Sequence, residues 1–543
     1  MKRFLALLLA LCMIGCLAAC GSQQAATTET GAAEAPAAAP AEEKAEGGIV
    51  RGGNLTLRRV GVTPINPTQT IATAGDMMSY CLFFETLTWL NESDFTAQPN
   101  LATSWTWSED NLHLDMNLVE GVKFFDGTPV NADAVVATFA FYMDENYGHN
   151  QGSYLVNLES VEAVSEYVVR FNFTTPDSSF LNVMSQPVGI ILSPNAIEKF
   201  KETSDPEVFA REGGCGPFIL SEFLDGERLT AVKNPNYYKM GEDGQPLPYL
   251  DSVTVQIIAD ESVMKANVES GDVDVVDFFS GLTVIDSFRA NEDVVLYTIA
   301  PKVQYILYMN TTKAPFDDIR VREALCMAFD RQECIDVLCG GNGFTTETIV
   351  LPSQTYYREG KIYDFDPAAS KALLAEAGYP DGVDIDFYYG TYGSMQTICE
   401  LLQQQAEEAG FHITLQPTDG ATVKQLWASY SPDAPAGIRI NDLGHPKASS
   451  YVQMEYTFGP NALQNCSKYF REDFQELLSL VSQTTDQATQ DKYLVEMQEM
   501  IEEDIPIVSL YTADKYSAYR TWVEGIVYNG DGTMIFTNAW LNK

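Results

Sequence analysis

Strand-type and helix-type hydrophobic periods alternate in short succession along most of this 543-residue chain, and that alternation limits its fold more than any other feature. The segment Gly53–Val60 places apolar side chains at every second position, as do 111–119 and 166–173; that period belongs to strands. Between the last two, Asn131 is placed to cap a helix running through Ala132, Val135, Val136 and Phe139. Val253–Ile258 reads as a strand that leads into a helix ending near Ser270, with Gly271 as its stop. Asp366-Pro367 supplies a cap and a first-turn proline for a short helix closed by Gly378. Ser394 opens a helix with Ile398, Leu401 and Leu402 inward, stopped at Gly410, and 412–415 then reads as a strand. Helices follow at 471–483 and 487–503, the second capped by Asp486. No repeat of 20 to 50 residues is visible. Interleaved elements of this kind pack as α/β lobes, and a chain of this length divides into two to four of them.

Charge removes several functions. Lys and Arg total 33 against 75 Asp and Glu, a net charge of −42. Such a polyanion repels nucleic-acid phosphates and offers no basic face to anionic lipid. Apolar residues make up 45% of the chain and charged residues 20%, the proportions of globular material and not of a disordered polymer.

Lys2 and Arg3 precede an apolar run from Phe4 to Ala19 that ends in Leu17-Ala18-Ala19-Cys20-Gly21. Small residues before a cysteine, then glycine, resemble the bacterial lipoprotein signal. The resemblance implies a signal peptide over 1–19, cleavage before Cys20 and diacylation of its sulfur. Residues 20–49, with almost no large apolar side chain, read as a flexible tether. The body is therefore expected outside the cell, held to the bilayer through acylated Cys20. Seven cysteines remain beyond Cys20, scattered through apolar segments with no CxxC pair; they read as small buried hydrophobes.

Catalytic and metal-binding patterns are missing from the sequence. The four histidines His113, His149, His412 and His445 form no HExxH, and no GxSxG, SxxK or GxxxxGK[ST] occurs. Gly213-Gly214-Cys215-Gly216-Pro217 ends in a residue without an amide donor and does not suit a phosphate cradle. Asp272, Asp274 and Asp277 lack the glycine and final glutamate of a calcium loop, and read as a strand edge facing solvent. No cofactor and no metal is expected.

Several strings occur together. Gln98-Pro99-Asn100-Leu101-Ala102-Thr103-Ser104-Trp105 precedes Gly121-Val122-Lys123-Phe124-Phe125-Asp126-Gly127-Thr128-Pro129 and Gly214-Cys215-Gly216-Pro217-Phe218. Asn234-Pro235-Asn236-Tyr237-Tyr238, Met309-Asn310-Thr311-Thr312 through Ala324-Leu325, Leu373 to Tyr379, and Ile505 to Tyr511 follow. In this order they resemble the family 5 extracellular solute-binding proteins, the oligopeptide-, dipeptide- and nickel-binding components of ABC importers. The resemblance spans about 53–520. It implies a type II periplasmic-binding-protein-like α/β fold of two hinged lobes with an extra domain inserted in lobe I. Lobe I maps to 50–84, 190–300 and 513–543, the inserted domain to 85–189, and lobe II to 301–512.

In peptide-binding members an aspartate in an Asp-x-x-x-Pro stretch of lobe II holds the peptide ammonium. Here Asn441-Asp442-Leu443-Gly444-His445-Pro446 matches it, which makes Asp442 the amine anchor and Asn441 its neighbour. The position three residues earlier, often tryptophan, is Arg439, a cation available to a solute carboxylate. The lobe I loop Thr73-Ala74-Gly75-Asp76-Met77 would form the facing wall, with Tyr389 and Tyr392 as aromatic lining. The implied function is capture of a peptide or other amine-bearing solute by a monomer that passes it to a membrane permease and breaks no bond. An oligosaccharide receptor of the same fold, marked by Tyr389, Tyr392 and Trp427, is one alternative. A secreted hydrolase and a ligand-free structural lipoprotein are the others.

Overall fold

The computed structural model describes residues 48–543 apart from 62–64, 70–73, 92–95, 280, 300–302, 347, 353, 355, 392–394, 429, 430, 432, 445–449, 460, 461, 463, 485, 530 and 531. The side chains at 74–76, 153, 303 and 442–444 also fall outside the description. The signal peptide, Cys20 and nearly all of the tether therefore lie outside the described residues. No described helix is long and apolar enough to cross a membrane.

Local chemistry sets the helix starts, at Asn131, Asp366 and Asp486 where the sequence places them. Asn131 accepts the Ala134 amide at the head of Ala132–Tyr142. Asp318 accepts that of Arg320, Asp366 that of Ala369, and Asp486 that of Thr489. Each side chain takes an amide that the helix itself leaves unpaired.

Two large sheets organise the body. The first has seven strands in the order Val294–Ile299, Lys515–Arg520, Val275–Phe279, Asn54–Arg59, Ser252–Ile257, Arg228–Lys233 and Phe218–Leu224. The second has six, in the order Gly343–Thr345, Ile507–Ala513, Val303–Met309, Gly437–Gly444, Val383–Gly390 and Phe411–Thr418. A separate four-stranded antiparallel sheet is built from 102–173. Its apolar face shares one continuous core with the seven-stranded half, through residues such as Leu114, Phe139, Phe171, Phe83 and Val253.

The chain passes between the large sheets twice. The first passage joins Ile299 to Val303, and the second joins Ala513 to Lys515. The strands flanking the two passages are paired, Ile299 with Lys515 in one sheet and Gln304 with Thr512 in the other. The large buried clusters respect this division. Two lie wholly in the six-stranded half and the others wholly outside it.

Among the described residues, several contacts between the halves away from the passages are polar, while the Leu282 side chain lies against Gly340. Ser178, in the domain of the four-stranded sheet, donates its amide to the Ser482 carbonyl at 3.2 Å and its hydroxyl to the Val481 carbonyl at 3.2 Å. Those carbonyls end the helix Glu472–Ser482, where that of Val481 also accepts the Gln483 and Thr484 amides. Tyr451 of the helix Ser450–Phe458 lies beside Asp177 and Ser482, and Tyr154 lies beside Tyr456 and Glu455.

Two glycines in the Gly213–Pro217 run are required by packing. A Cβ on Gly214 would sit 2.2 Å from the Phe83 carbonyl oxygen, and one on Gly216 would sit 2.5 Å from the Phe83 carbonyl carbon. The run is a close contact between backbones.

The polar bridge and a buried histidine each give a measurable outcome. Ser178→Ala removes one of the two bridging bonds, worth about 0.5–1.5 kcal/mol; hydrogen exchange in 175–180 should quicken while exchange in the sheet cores stays unchanged. Burial pushes the His149 imidazole down from 6.5 to about 4, so the unfolded chain binds a proton in that window that the folded chain refuses. The contribution of neutral His149 is complete above pH 6.5 and is lost as pH falls toward 4, at up to about 1.4 kcal/mol per pH unit. Denaturant titrations across about pH 4–7 should show a shallower acid loss for His149→Gln than for the parent.

Candidate functional site

The strand Gly437–Gly444 lies in the middle of the six-stranded sheet. It runs antiparallel to Val303–Met309 and parallel to Val383–Gly390. Gly444 pairs with Val303, the first strand residue after the passage between sheets. Asp442 is therefore on the third rung from that passage, opposite Tyr305, and Arg439 on the sixth, opposite Tyr308. The Asp442 side chain, His445 and Pro446 lie outside the described residues, as do Thr73 and Tyr392.

Arg439 is 2% exposed. Its Nη1 donates to the Cys466 Sγ at 2.8 Å and its Nη2 to the Asn441 Oδ1 at 3.3 Å. Burial pushes the Cys466 thiol up, against the pull of Arg439, and among the described residues no carboxylate forms an ion pair with this guanidinium. Tyr308, Arg439 and Tyr388 occupy one cross-strand row. Trp427, fully buried, packs its ring 5.8 Å from that of Tyr388. Asn441 is buried beside Arg439. The structure thus brings Arg439, Asn441 and Trp427 together.

Two other predicted lining residues have a different setting. Tyr389, adjacent to Tyr388 and on the opposite face of its strand, is buried with Met395 and Cys399 in the core of the six-stranded half. Met77 is 1% exposed and packs in the core of the seven-stranded half. Ala74, Gly75 and Asp76 open the helix Ala74–Phe83.

Sequence reasoning missed a charged cluster in the seven-stranded sheet. Arg58 and Arg59, at the carboxyl end of Asn54–Arg59, both reach Asp277, at 3.3 Å each. Arg59 Nη1 also donates to the Ser79 hydroxyl at 2.6 Å, and Arg58 Nε to the Ile258 carbonyl at 2.7 Å. Burial pushes the Asp277 carboxyl up to about 6, opposed by both guanidiniums. The expectation that Asp274 and Asp277 face solvent is corrected: they are 2% and 4% exposed. Asp274 accepts from the Thr56 amide and from Trp522 Nε1 and pairs with Lys543. Alternation along 272–277 gives the period of a strand but not whether its faces are covered. A pair of arginines in an otherwise alternating strand was the available signal.

No group of three or more His, Cys, Asp or Glu side chains suited to a metal occurs among the described residues. The seven described cysteines form no disulfide, and six of them are buried.

The sequence profile of the bacterial extracellular solute-binding proteins, family 5 middle, matches residues 96–458. The glutathione-binding protein GsiB of Escherichia coli O1:K1 is 26% identical over 448 residues, 81% of this chain and 85% of its own. HbpA2 from Haemophilus parasuis superposes with a TM-score of 0.80 at 22% identity, over 90% of this chain and 100% of that one. The periplasmic binding protein DppA from Helicobacter pylori, solved with peptide STSA, gives 0.74 at 22% identity, over 91% and 99%. Two sheets joined by paired passages are thus the type II binding-protein fold, and this chain belongs to the family 5 extracellular solute-binding proteins.

Proposed function

We propose that the protein is the receptor of an ABC importer, that it captures a peptide or another amine-bearing solute between its two halves, and that it hands the solute to a membrane permease. The observation that carries this reading is the pair of adjacent passages between two sheets whose large apolar cores are separate. Halves connected in that way can turn about the passages as rigid bodies and close on a solute. Lipid on Cys20 would hold the receptor at the outer face of the membrane. The relatives' ligands, glutathione for GsiB and peptide STSA for DppA, support an amine-bearing solute.

Asp442 is assigned as the amine anchor, since its strand runs toward the passage where the halves meet. An ammonium on a carboxylate makes a charge-assisted bond of about 1.5–3 kcal/mol. Arg439 and Asn441 stand farther along the same strand. Thr73, Ala74, Gly75 and Asp76 are assigned to the facing wall, where small residues let a solute approach backbone amides. Tyr392 is assigned to the rim, and Met77 and Tyr389 act as packed supports behind the walls. The chain binds and releases, with no bond broken.

Asp442→Ala should weaken binding of trialanine at least tenfold in calorimetry, and N-acetylation of the peptide should weaken binding to the parent protein by a similar factor. Equal affinity of parent and variant for both peptides would remove the amine anchor. Turnover of chromogenic peptide, ester or glycoside substrates would remove the receptor reading itself.

A further inference from the structure

One residue of the six-stranded half is gripped by two elements of the other. Asn342 precedes the edge strand Gly343–Thr345. Its Nδ2 donates to the Cys339 carbonyl at 2.8 Å and to the Gly340 carbonyl at 3.2 Å, so its own half holds the side-chain amide in place. Its Oδ1 is taken by the seven-stranded half. It accepts from Arg289 Nη2 at 3.2 Å, at the end of the helix Leu282–Arg289, and from the Tyr516 hydroxyl at 2.9 Å, in the strand Lys515–Arg520. The turn before Asn342 allows this approach. Gly340 and Gly341 both have left-handed backbones, with φ of +57° and +81°. The Leu282 side chain covers Gly340 so closely that a Cβ there would sit 3.1 Å from its Cδ2.

This grip and the Ser178 bridge stand on opposite faces of the six-stranded sheet. Along Val303–Met309, Leu307 and Met309 enter one core, and Ile306 and Tyr308 enter the other; alternate residues of a strand point to opposite faces. The helix Arg331–Cys339, which leads into the Asn342 turn, packs Cys334 and Ile335 into the first core. The helix Glu472–Ser482, which receives Ser178, packs Phe474, Leu477, Leu478 and Val481 into the second. Rotation about the passages moves contacts on opposite faces in opposite directions, so both can be made together only over a narrow range of angle. In this structure both are made. A contact present in one conformation only shifts the balance toward it, and each of these two therefore supports the other.

We propose that the Asn342 grip holds the halves at the angle of the closed receptor and sets the affinity for solute from outside the solute site. Its effect on capture rests on the receptor reading above, whereas its effect on the Ser178 bridge needs no solute. Asn342 adjoins the edge strand, and the strand Gly437–Gly444 with Asp442 is three strands away in the order of the sheet, about 14 Å at ordinary strand spacing. Leu282, Arg289, Tyr516 and Asn342 are thus positioning residues, acting on a solute only through the angle between the halves.

The test compares the parent with Leu282→Ala/Arg289→Ala and with Tyr516→Phe. Leu282 is 37% exposed and the Arg289 side chain 52%, so the double variant spares the cores. Tyr516→Phe removes only the hydroxyl and keeps a ring in its cluster. Asn342 is left in place because it also bonds its own turn. Ser287→Ala is the control, since Ser287 is on the same helix but bonds Glu269 of its own half. Amide exchange is read without peptide, and trialanine, its C-terminal amide and N-acetyl-trialanine are the probes in calorimetry. In both variants exchange at Ser178 should quicken about threefold or more, the worth of a net hydrogen bond or two. Exchange in the sheet cores should stay at the parent rate, as should exchange at Ser178 in Ser287→Ala. Trialanine should bind both variants more weakly by a similar factor, and the ratios among the three peptides should remain those of the parent, since no contact with solute is lost. Parent-like exchange at Ser178 in both variants overturns the grip. Slower exchange with tighter binding also overturns it, because the contact would then hold the halves apart. A changed ratio among the peptides would put these residues in the solute site and overturn it as well. If the parent binds none of the three peptides, the peptide reading fails by itself, and exchange at Ser178 still decides the grip.

Discussion

The molecule is organised by two neighbouring strands that carry the chain from one sheet into the other. The strands that flank the two passages pair with each other in both sheets. Hydrogen bonds surround the second passage. The Asp514 amide bonds the Asn342 carbonyl, while Tyr516 and Arg289 both donate to the Asn342 Oδ1. Burial pushes the Asp514 carboxyl up. Passages edged by exchangeable hydrogen bonds bend at low cost, whereas each half is held by its own close-packed interior.

Charge is sorted between surface and interior. The chain is strongly acidic overall, yet Arg58, Arg59 and Arg439 are all buried. The acidic exterior repels anionic solutes at long range, but salt screens such repulsion beyond about 10 Å. Buried guanidiniums act only on what has already been enclosed, where screening is weak.

The parts of this fold that were legible in sequence are those set within one turn of chain. A cap needs a side chain and an amide three residues on, so Asn131, Asp366 and Asp486 announce their helices. The order of strands in each sheet was not legible, because it depends on pairings such as Asn54 with Ser252, far apart in the chain. Asp277 illustrates the consequence. Its partners Arg58 and Arg59 lie 219 and 218 residues earlier, so only the fold reveals that the acid is buried. Tyr388 and Tyr389 show the same limit at shorter range. Either aromatic suits a wall, and the face each occupies follows from which side the core covers. Arg439 was legible as a departure from a motif, but its burial against Cys466 and Asn441 was not.

The same separation explains how weak contacts can govern closure. If the halves shared an apolar core, opening them would expose it and closure would be nearly permanent. The described contacts at Ser178 instead complete the carbonyl end of a helix, which water satisfies almost as well when the halves part. Such a bridge is close to neutral alone. A solute that engages both walls adds only its differential affinity for the closed form, and that is sufficient to shift a balanced equilibrium. On the proposed receptor reading, such a balance would let the solute leave as readily as it enters.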